Sequence, residues 1–381
     1  MSDGGASPPR RRPGIPVGRL LGIPVYLNAS WFLLAVLITL VYGDVVRANL
    51  PGLQASQAYL VAFGFVVCLL VSVLLHELGH ALTSRLYGIG VRGITLEMLG
   101  GYTEMERDAP NPRAEVVVSL AGPAVSAVLG VSAAVATAAL PSGGIAHELA
   151  LQAATANILV AIFNTLPGLP LDGGRALRAA VWAASRDKHL GTRVAGWTGR
   201  VVAVVVLATA LLGLATGWVT SPFGLVFTAV VAIVLWTGAS QSIRAGRIGA
   251  RLHLVHAGRM ARPALGVPSG TPLGEALRRA AETGLTDLLV VDGAGQVRAV
   301  ADPAAVAAVP AERRPWVTVD AVARTLDAGA VLAADLTGED VIRAVQANPA
   351  ATYLVVSGED VVGVMHAADL ATLLEPREPQ S

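Results

Sequence analysis

Charge and cysteine are what this chain of 381 residues has least of. Asp, Glu, Lys and Arg together make up 14% of it, and the single cysteine, Cys68, lies inside an apolar run. One cysteine excludes an internal disulfide and any cysteine-based zinc cluster. The shortage of charge argues against an ordinary soluble protein. With 54% hydrophobic residues and a mean hydropathy of +0.60, too little polar material is left to cover a folded surface. The class that fits is a multi-span membrane protein. Net charge is only +1, so no basic excess points to nucleic acid, and none is expected as a partner. The Arg-rich stretch Arg244–Arg259 reads as the flank of a span and a linker.

What is present is a series of long apolar runs. Ala29–Val46, Ala58–Leu75 (continuing to about Arg85), Ala114–Leu140, Leu149–Leu166, Thr192–Trp218 and Phe223–Ile243 each reach or approach the ~20 residues of a bilayer-crossing helix. About six transmembrane helices are therefore predicted. The segment Gly174–Ala184 is shorter and carries Arg175 and Arg178, which suits a helix lying at the interface. Residues 1–17, with Arg10, Arg11 and Arg12 among prolines and glycines, read as a disordered basic arm. No cleaved signal peptide is expected, because no small-residue cleavage site follows the first apolar run. If the arm is inside, the inner segments hold Arg85, Arg92, Arg107, Arg113, Arg186, Lys188, Arg193, Arg244 and Arg247, while the outer loops hold only Arg47. That asymmetry predicts a multi-pass protein of the cell membrane with both termini cytoplasmic.

The composition changes after Arg251. Within 257–374, Asp287–Val300 aligns without gaps on Thr352–Met365, an offset of 65 residues. Each copy reads strand, tight turn, strand, helix. Helix starts are expected at Thr271-Pro272, as a cap followed by a first-position proline, and at Thr337 with Asp340, as a capping box. Residues 375–381 read as a disordered tail.

The second run ends in His76-Glu77-Leu78-Gly79-His80. On a helix, positions i and i+4 share a face, so the two imidazoles can hold one metal ion, and Glu77 projects beside them where it can take a proton from an activated water. Zinc suits imidazole and carboxylate donors and needs no redox partner. Ionisable groups at the end of an apolar span are costly, at about 2.5–3.5 kcal/mol for a charge at mid-bilayer, and so should have a task. The competing reading is an interfacial helix end with hydrogen-bonded histidines. A catalytic zinc needs a third protein ligand. His147 falls in an outer loop, His189 in an inner one, and His253, His256 and His366 in or near the C-terminal part. The best candidate is Asp172, within Asn164-Thr-Leu-Pro-Gly-Leu-Pro-Leu-Asp172-Gly-Gly174, where prolines and glycines leave irregular backbone near membrane depth. Such backbone is tolerated only where protein or a wet cavity surrounds it; a plain Asp-Gly-Gly turn is the alternative. Counting crossings brings both motifs to the same inner level, so they can meet.

His76-Glu77-Leu78-Gly79-His80 together with Asn164…Pro167…Pro170-Leu171-Asp172-Gly173-Gly174 resembles the site-2 protease family of intramembrane metalloproteases, over roughly residues 18–250. The resemblance implies His76, His80 and Asp172 as ligands of one zinc ion and Glu77 as general base. Asn164 is implied as a group that polarises the scissile carbonyl or orients substrate. Leu99-Gly100-Gly101-Tyr102 resembles the glycine-pair loop that offers a strand edge to an unwound substrate, which implies substrate binding at Gly100 and Gly101. Ser119-Leu-Ala-Gly-Pro123 resembles a helix-packing segment. Asn28 departs from the family, where many relatives have a histidine. The implied activity is hydrolysis of peptide bonds in membrane proteins, single-span ones above all, within or near the bilayer. The repeat at 257–374 resembles a pair of CBS modules, an α/β regulatory or dimerisation domain that often binds adenine nucleotides. Asp369 is its candidate nucleotide contact, and a homodimer is a candidate assembly. A transporter or channel with CBS domains, or an inactive protease relative, would share parts of this pattern; the transporter would require two related membrane halves with paired broken helices.

Overall fold

In the computed structural model, residues 14–98, 100–217, 222–326 and 328–374 are described. The chain divides into two compact units, Met1–Gly246 and Arg247–Ser381.

The first unit opens with strands β1 (Ile15–Leu20) and β2 (Ile23–Leu27). They form a hairpin that turns at Leu21 and Gly22, both at positive φ. The expected arm therefore gives way to strand at Ile15, because a glycine supplies the turn and β2 supplies the backbone partners; residues 1–13 lie outside the described residues. Helices α1 (Ala29–Asn49) and α2 (Ala55–Leu86) follow, then strands β3 (Val91–Glu97) and β4 (Gly100–Met105), then α3 (Pro112–Ala139), α4 (Ile145–Thr165), α5 (Asp172–Ser185), α6 (Lys188–Ala215) and α7 (Pro222–Gly249). The four strands form one sheet in the order β1-β2-β3-β4, with β2 and β3 parallel.

Among the described residues, six helices are long and apolar enough to cross a membrane. They expose large aliphatic side chains along their length, such as Leu60 at 71% and Val128 at 65%, which lipid tolerates and water would not. At 14 residues, α5 is too short to span. Its Arg178 pairs with Glu115 of α3, whose side chain is fully buried. His147 and His189 belong to the first turns of α4 and α6 rather than to loops, since both helices begin earlier than their apolar runs.

In the second unit, the short helix α8 (Ala257–Met260) precedes two similar halves. The first contains β5 (Ala264–Pro268), α9 (Leu273–Thr283), β6 (Asp287–Val291), β7 (Val297–Ala301), α10 (Pro303–Ala308) and β8 (Ala323–Thr325). The second contains β9 (Val331–Ala333), α11 (Gly338–Ala347), β10 (Thr352–Ser357), β11 (Asp360–His366) and α12 (Ala367–Leu374). The sheets run β5-β6-β7-β8 and β11-β10-β9. Adding 65 to the start of α9 (Leu273) or β6 (Asp287) lands on the start of α11 (Gly338) or β10 (Thr352), so the repeat extends to the whole α/β half. Each half has its own apolar core, and Leu289, Val300, Leu354 and Val364 form a further cluster drawn from both.

The two expected helix caps are not formed. Thr271 Oγ1 turns back to Pro268 O at 2.6 Å, and Thr337 makes no side-chain cap. The first N–H groups are satisfied by neighbouring chain instead: Leu273 donates to Val317 O (2.8 Å) and Gly338 to Val255 O (2.9 Å). A helix start needs partners for its orphan donors, not a particular cap. The tail 375–381 lies outside the described residues.

Candidate metal centre and active site

His76 and His80 are one turn apart in α2 and both buried, at 5% and 3% exposure. Asp172 is the first residue of α5, after the bent segment 166–171. That segment is docked on α6: Leu169 N donates to Ala195 O at 2.9 Å, and Gly168 lies so close to Gly199 that a Cβ on Gly168 would stand 2.6 Å from the Gly199 Cα. Gly173 and Gly174 let the helix start fold back onto it; a Cβ on Gly173 would stand 2.5 Å from Leu166 O.

The three side chains converge. Asp172 Oδ2 is 3.2 Å from His76 Nε2 and 3.2 Å from His80 Nε2, and the two Nε2 atoms are 3.3 Å apart. Zinc bonds of about 2.0–2.1 Å in tetrahedral geometry require donor atoms about 3.3 Å apart, so these three fit one face of a zinc tetrahedron. The far side of each ring is also arranged for it. His80 Nδ1 donates to Val118 O at 2.7 Å, and a carbonyl can only accept, so Nε2 is left with its lone pair. His76 Nδ1 meets Ser126 Oγ at 2.9 Å. Such partners fix the tautomer and orientation of metal-ligating histidines.

Glu77 is 6% exposed. Thr103 Oγ1, on β4, donates to Glu77 Oε2 (2.8 Å) and also lies 3.1 Å from the Glu77 backbone oxygen. Gly101 packs directly on it: a Cβ there would stand 2.8 Å from Glu77 Cγ. Gly100 pairs with Glu97 across the β3–β4 hairpin, and the other edge of β4 has no strand neighbour among the described residues. Asn164 is in the last turn of α4, half-buried, with no side-chain hydrogen bond among the described residues. Asn28 caps α1 and donates to Glu97 Oε1 at 3.0 Å, a structural task that differs from metal binding.

Sequence reasoning did not find the contribution of α3. Val118 and Ser126 hold the two imidazoles, and a Cβ on Gly122 would stand 2.6 Å from His76 Nε2. The segment Ser119–Pro123 does pack helices, since Gly79 allows Ala121 O within 3.0 Å of its Cβ position, but it also walls the metal centre. Thr103 was likewise missed. Asp369, the candidate nucleotide contact in the second unit, is 2.6 Å from Arg262 and lines an open cleft of about 520 Å³ with Arg251, Leu254 and Thr372.

A profile of peptidase family M50 matches residues 64–153 and 138–209. A Synechocystis protein named as a zinc metalloprotease is 30% identical over 366 residues, covering 95% of each chain. The site-2 protease from Methanocaldococcus jannaschii, a solved structure, is 26% identical, covering 60% of this chain and 94% of that one with a TM-score of 0.41. A CBS domain-containing protein from Kribbella flavida is 22% identical, covering 32% of this chain and 99% of that one with a TM-score of 0.25. With a relative this similar along nearly its full length, and with the His-Glu-x-x-His helix and distant aspartate gathered at one point, the chain belongs to peptidase family M50, the site-2 protease family of membrane zinc metalloproteases.

Proposed function

We propose that the protein is a zinc endopeptidase that cuts membrane-protein substrates, single-span ones in particular, within or near the bilayer. The observation that carries this reading is the triangle of three donor atoms at 3.2–3.3 Å. His76, His80 and Asp172 would hold the zinc ion, leaving a fourth position open. Zinc, when bound, supplies Lewis acidity, acidifying a water and polarising the scissile carbonyl. Glu77 accepts the proton of the attacking water and returns it to the leaving amine. Thr103 fixes the carboxylate that does so. Asn164 is read as a donor to the carbonyl oxygen. Asn157, two helical turns earlier on the same face of α4, donates to Ser72 Oγ of α2 at 3.0 Å, one turn before His76, which supports that face pointing along α2 towards the site. The open edge of β4 at Gly100 and Gly101 is read as the place where an unwound substrate strand pairs, because a helical substrate hides the carbonyls that must be attacked.

The second unit is read as a CBS pair with a regulatory or dimerising role. The cleft at Asp369 is the candidate site for an adenine nucleotide, which would have to compete with Arg262 for that carboxylate. The arginine asymmetry supports cytoplasmic termini.

Glu77→Gln is the test. The variant is expected to keep one zinc per chain and lose cleavage by at least a hundredfold, and membrane-fragment proteomics of cells carrying either form should show substrates that accumulate uncut. An active Glu77→Gln enzyme would overturn the reading.

A further inference from the structure

The seam between α6 and α7 holds a cation that peptide hydrolysis leaves without a task. Arg200 of α6 lies between two indoles, its guanidinium carbon 4.8 Å from the ring centroid of Trp197 and 4.8 Å from that of Trp236 on α7. Its Nε and Nη2 donate to Ser240 Oγ at 3.2 and 3.0 Å. These contacts fix the plane of the guanidinium, but none neutralises it: no carboxylate pairs with Arg200 among the described residues, and its Nη1 has no hydrogen-bond partner among them.

Its depth follows from the sequence. Beyond Arg200, Val201–Ala215 of α6 contains no charged residue, and neither does Pro222–Trp236 of α7. Each stretch is about 22 Å long at ~1.5 Å per residue, about 8 Å short of the ~30 Å of hydrocarbon, so Arg200 and the two tryptophans stand within about 8 Å of the near hydrocarbon boundary, where a long cationic side chain snorkels to the interface and indoles collect. Trp197 is 52% and Trp236 44% exposed, so both rings face outward. On the apolar side, Val201, Val204 and Val205 of α6 and Ile233 of α7 are exposed as well. On the polar side, Arg193 lies one heptad back on the same stripe of α6 and packs on Gly246 of α7.

We propose that Arg200, Trp197 and Trp236 form a binding site for an anionic phospholipid. The phosphate takes the open Nη1 edge of the guanidinium, the indoles flank the headgroup, and acyl chains follow Val201, Val204, Val205 and Ile233. A fixed guanidinium suits an oxyanion. A lipid with net negative charge is favoured over a zwitterionic one, whose own ammonium already neutralises its phosphate. The site depends on membrane embedding and not on the peptidase chemistry, so the two can fail separately.

The test is tryptophan fluorescence of the full-length protein in phosphatidylcholine vesicles containing phosphatidylglycerol, with the acyl chains of one lipid or the other brominated. Subtracting the signal of a Trp197→Phe/Trp236→Phe variant isolates the two indoles. Brominated phosphatidylglycerol is expected to quench this signal at least twofold more than brominated phosphatidylcholine at equal mole fraction. Arg200→Gln should abolish the preference while zinc content stays native. Equal quenching by the two lipids in the unaltered protein would overturn the proposal, a result that does not depend on any Arg200 variant folding. So would a preference that survives in Arg200→Gln.

Discussion

A general base must be aimed as well as charged, and the aim of Glu77 comes from a residue 26 positions away. Thr103 Oγ1 meets both the carboxylate and the backbone oxygen of Glu77, tying the edge strand to the helix that carries the base. Thr103→Val removes the hydroxyl at nearly constant volume. A hydrogen bond to a charged group contributes about 1.5–3 kcal/mol, and about 1.4 kcal/mol of lost alignment is a tenfold rate effect. We expect kcat to fall about tenfold, KM to stay within about twofold, zinc content to stay native, and Thr103→Ser to restore most of the rate. Steady-state cleavage assays with metal analysis decide it; a native kcat in Thr103→Val would show that the bond does no positioning. The contrast with the metal ligands explains what could be read from the chain alone. His76, Glu77 and His80 are local to one helix turn, so their spacing declares them. Asp172 is betrayed by the prolines and glycines around it. Thr103, Ser126 and the Val118 carbonyl act across separations of 26, 50 and 38 residues, and nothing in a threonine, a serine or a backbone oxygen announces such a partner.

At the scale of elements, the long helices were legible because an apolar run needs only its own length to declare a span, whereas the sheet was not. Strand β1 pairs with a near neighbour, but β2 pairs in parallel with β3 across the whole α1–α2 hairpin, a choice that depends on how the helices pack. The same packing sets the value of a glycine. Helix α3 reaches the metal centre only because Gly122 has no side chain; a methyl there would stand 2.6 Å from His76 Nε2, inside van der Waals contact. Gly122→Ala must therefore push α3 away or rotate the imidazole, and either motion strains the Val118 and Ser126 bonds that orient both rings. Loss of such outer partners commonly costs 10–100-fold in metal affinity. We expect Gly122→Ala to show a zinc dissociation constant raised by at least tenfold and activity that recovers partly at high zinc. Gly130→Ala is the control: that position meets Ile158 and the α4 backbone, so any effect there reflects helix packing alone, without a zinc-rescuable component.

At the scale of the whole molecule, two compact units need not share stability, and the second is itself a duplicated half. The halves are joined by the Leu289, Val300, Leu354 and Val364 cluster and by a buried polar contact, His366 Nε2 to Asp287 Oδ1 at 2.9 Å, while Arg262, just before β5, exchanges backbone hydrogen bonds with Val364. Positions 287 and 366 come from the two different copies; under the 65-residue offset Asp287 corresponds to Thr352 and Ala301 to His366, so the reciprocal contact has no equivalent chemistry. Asp287 is 6% exposed, and its Oδ2 is already buried without a hydrogen-bond partner among the described residues. His366→Ala leaves the other oxygen unpaired too. An unsatisfied buried polar group costs about 1–3 kcal/mol, more if charged, which for a domain of this size is a fall of several degrees in Tm. Calorimetry of the full-length protein should show the transition of the C-terminal unit lowered by that amount in His366→Ala, with zinc content in the membrane unit unchanged. Replacing both groups, as in Asp287→Leu/His366→Leu, should recover much of the loss, because two apolar side chains leave no orphaned charge. An unshifted transition in His366→Ala would mean that water already serves Asp287 and that the joining of the two halves does not depend on this contact.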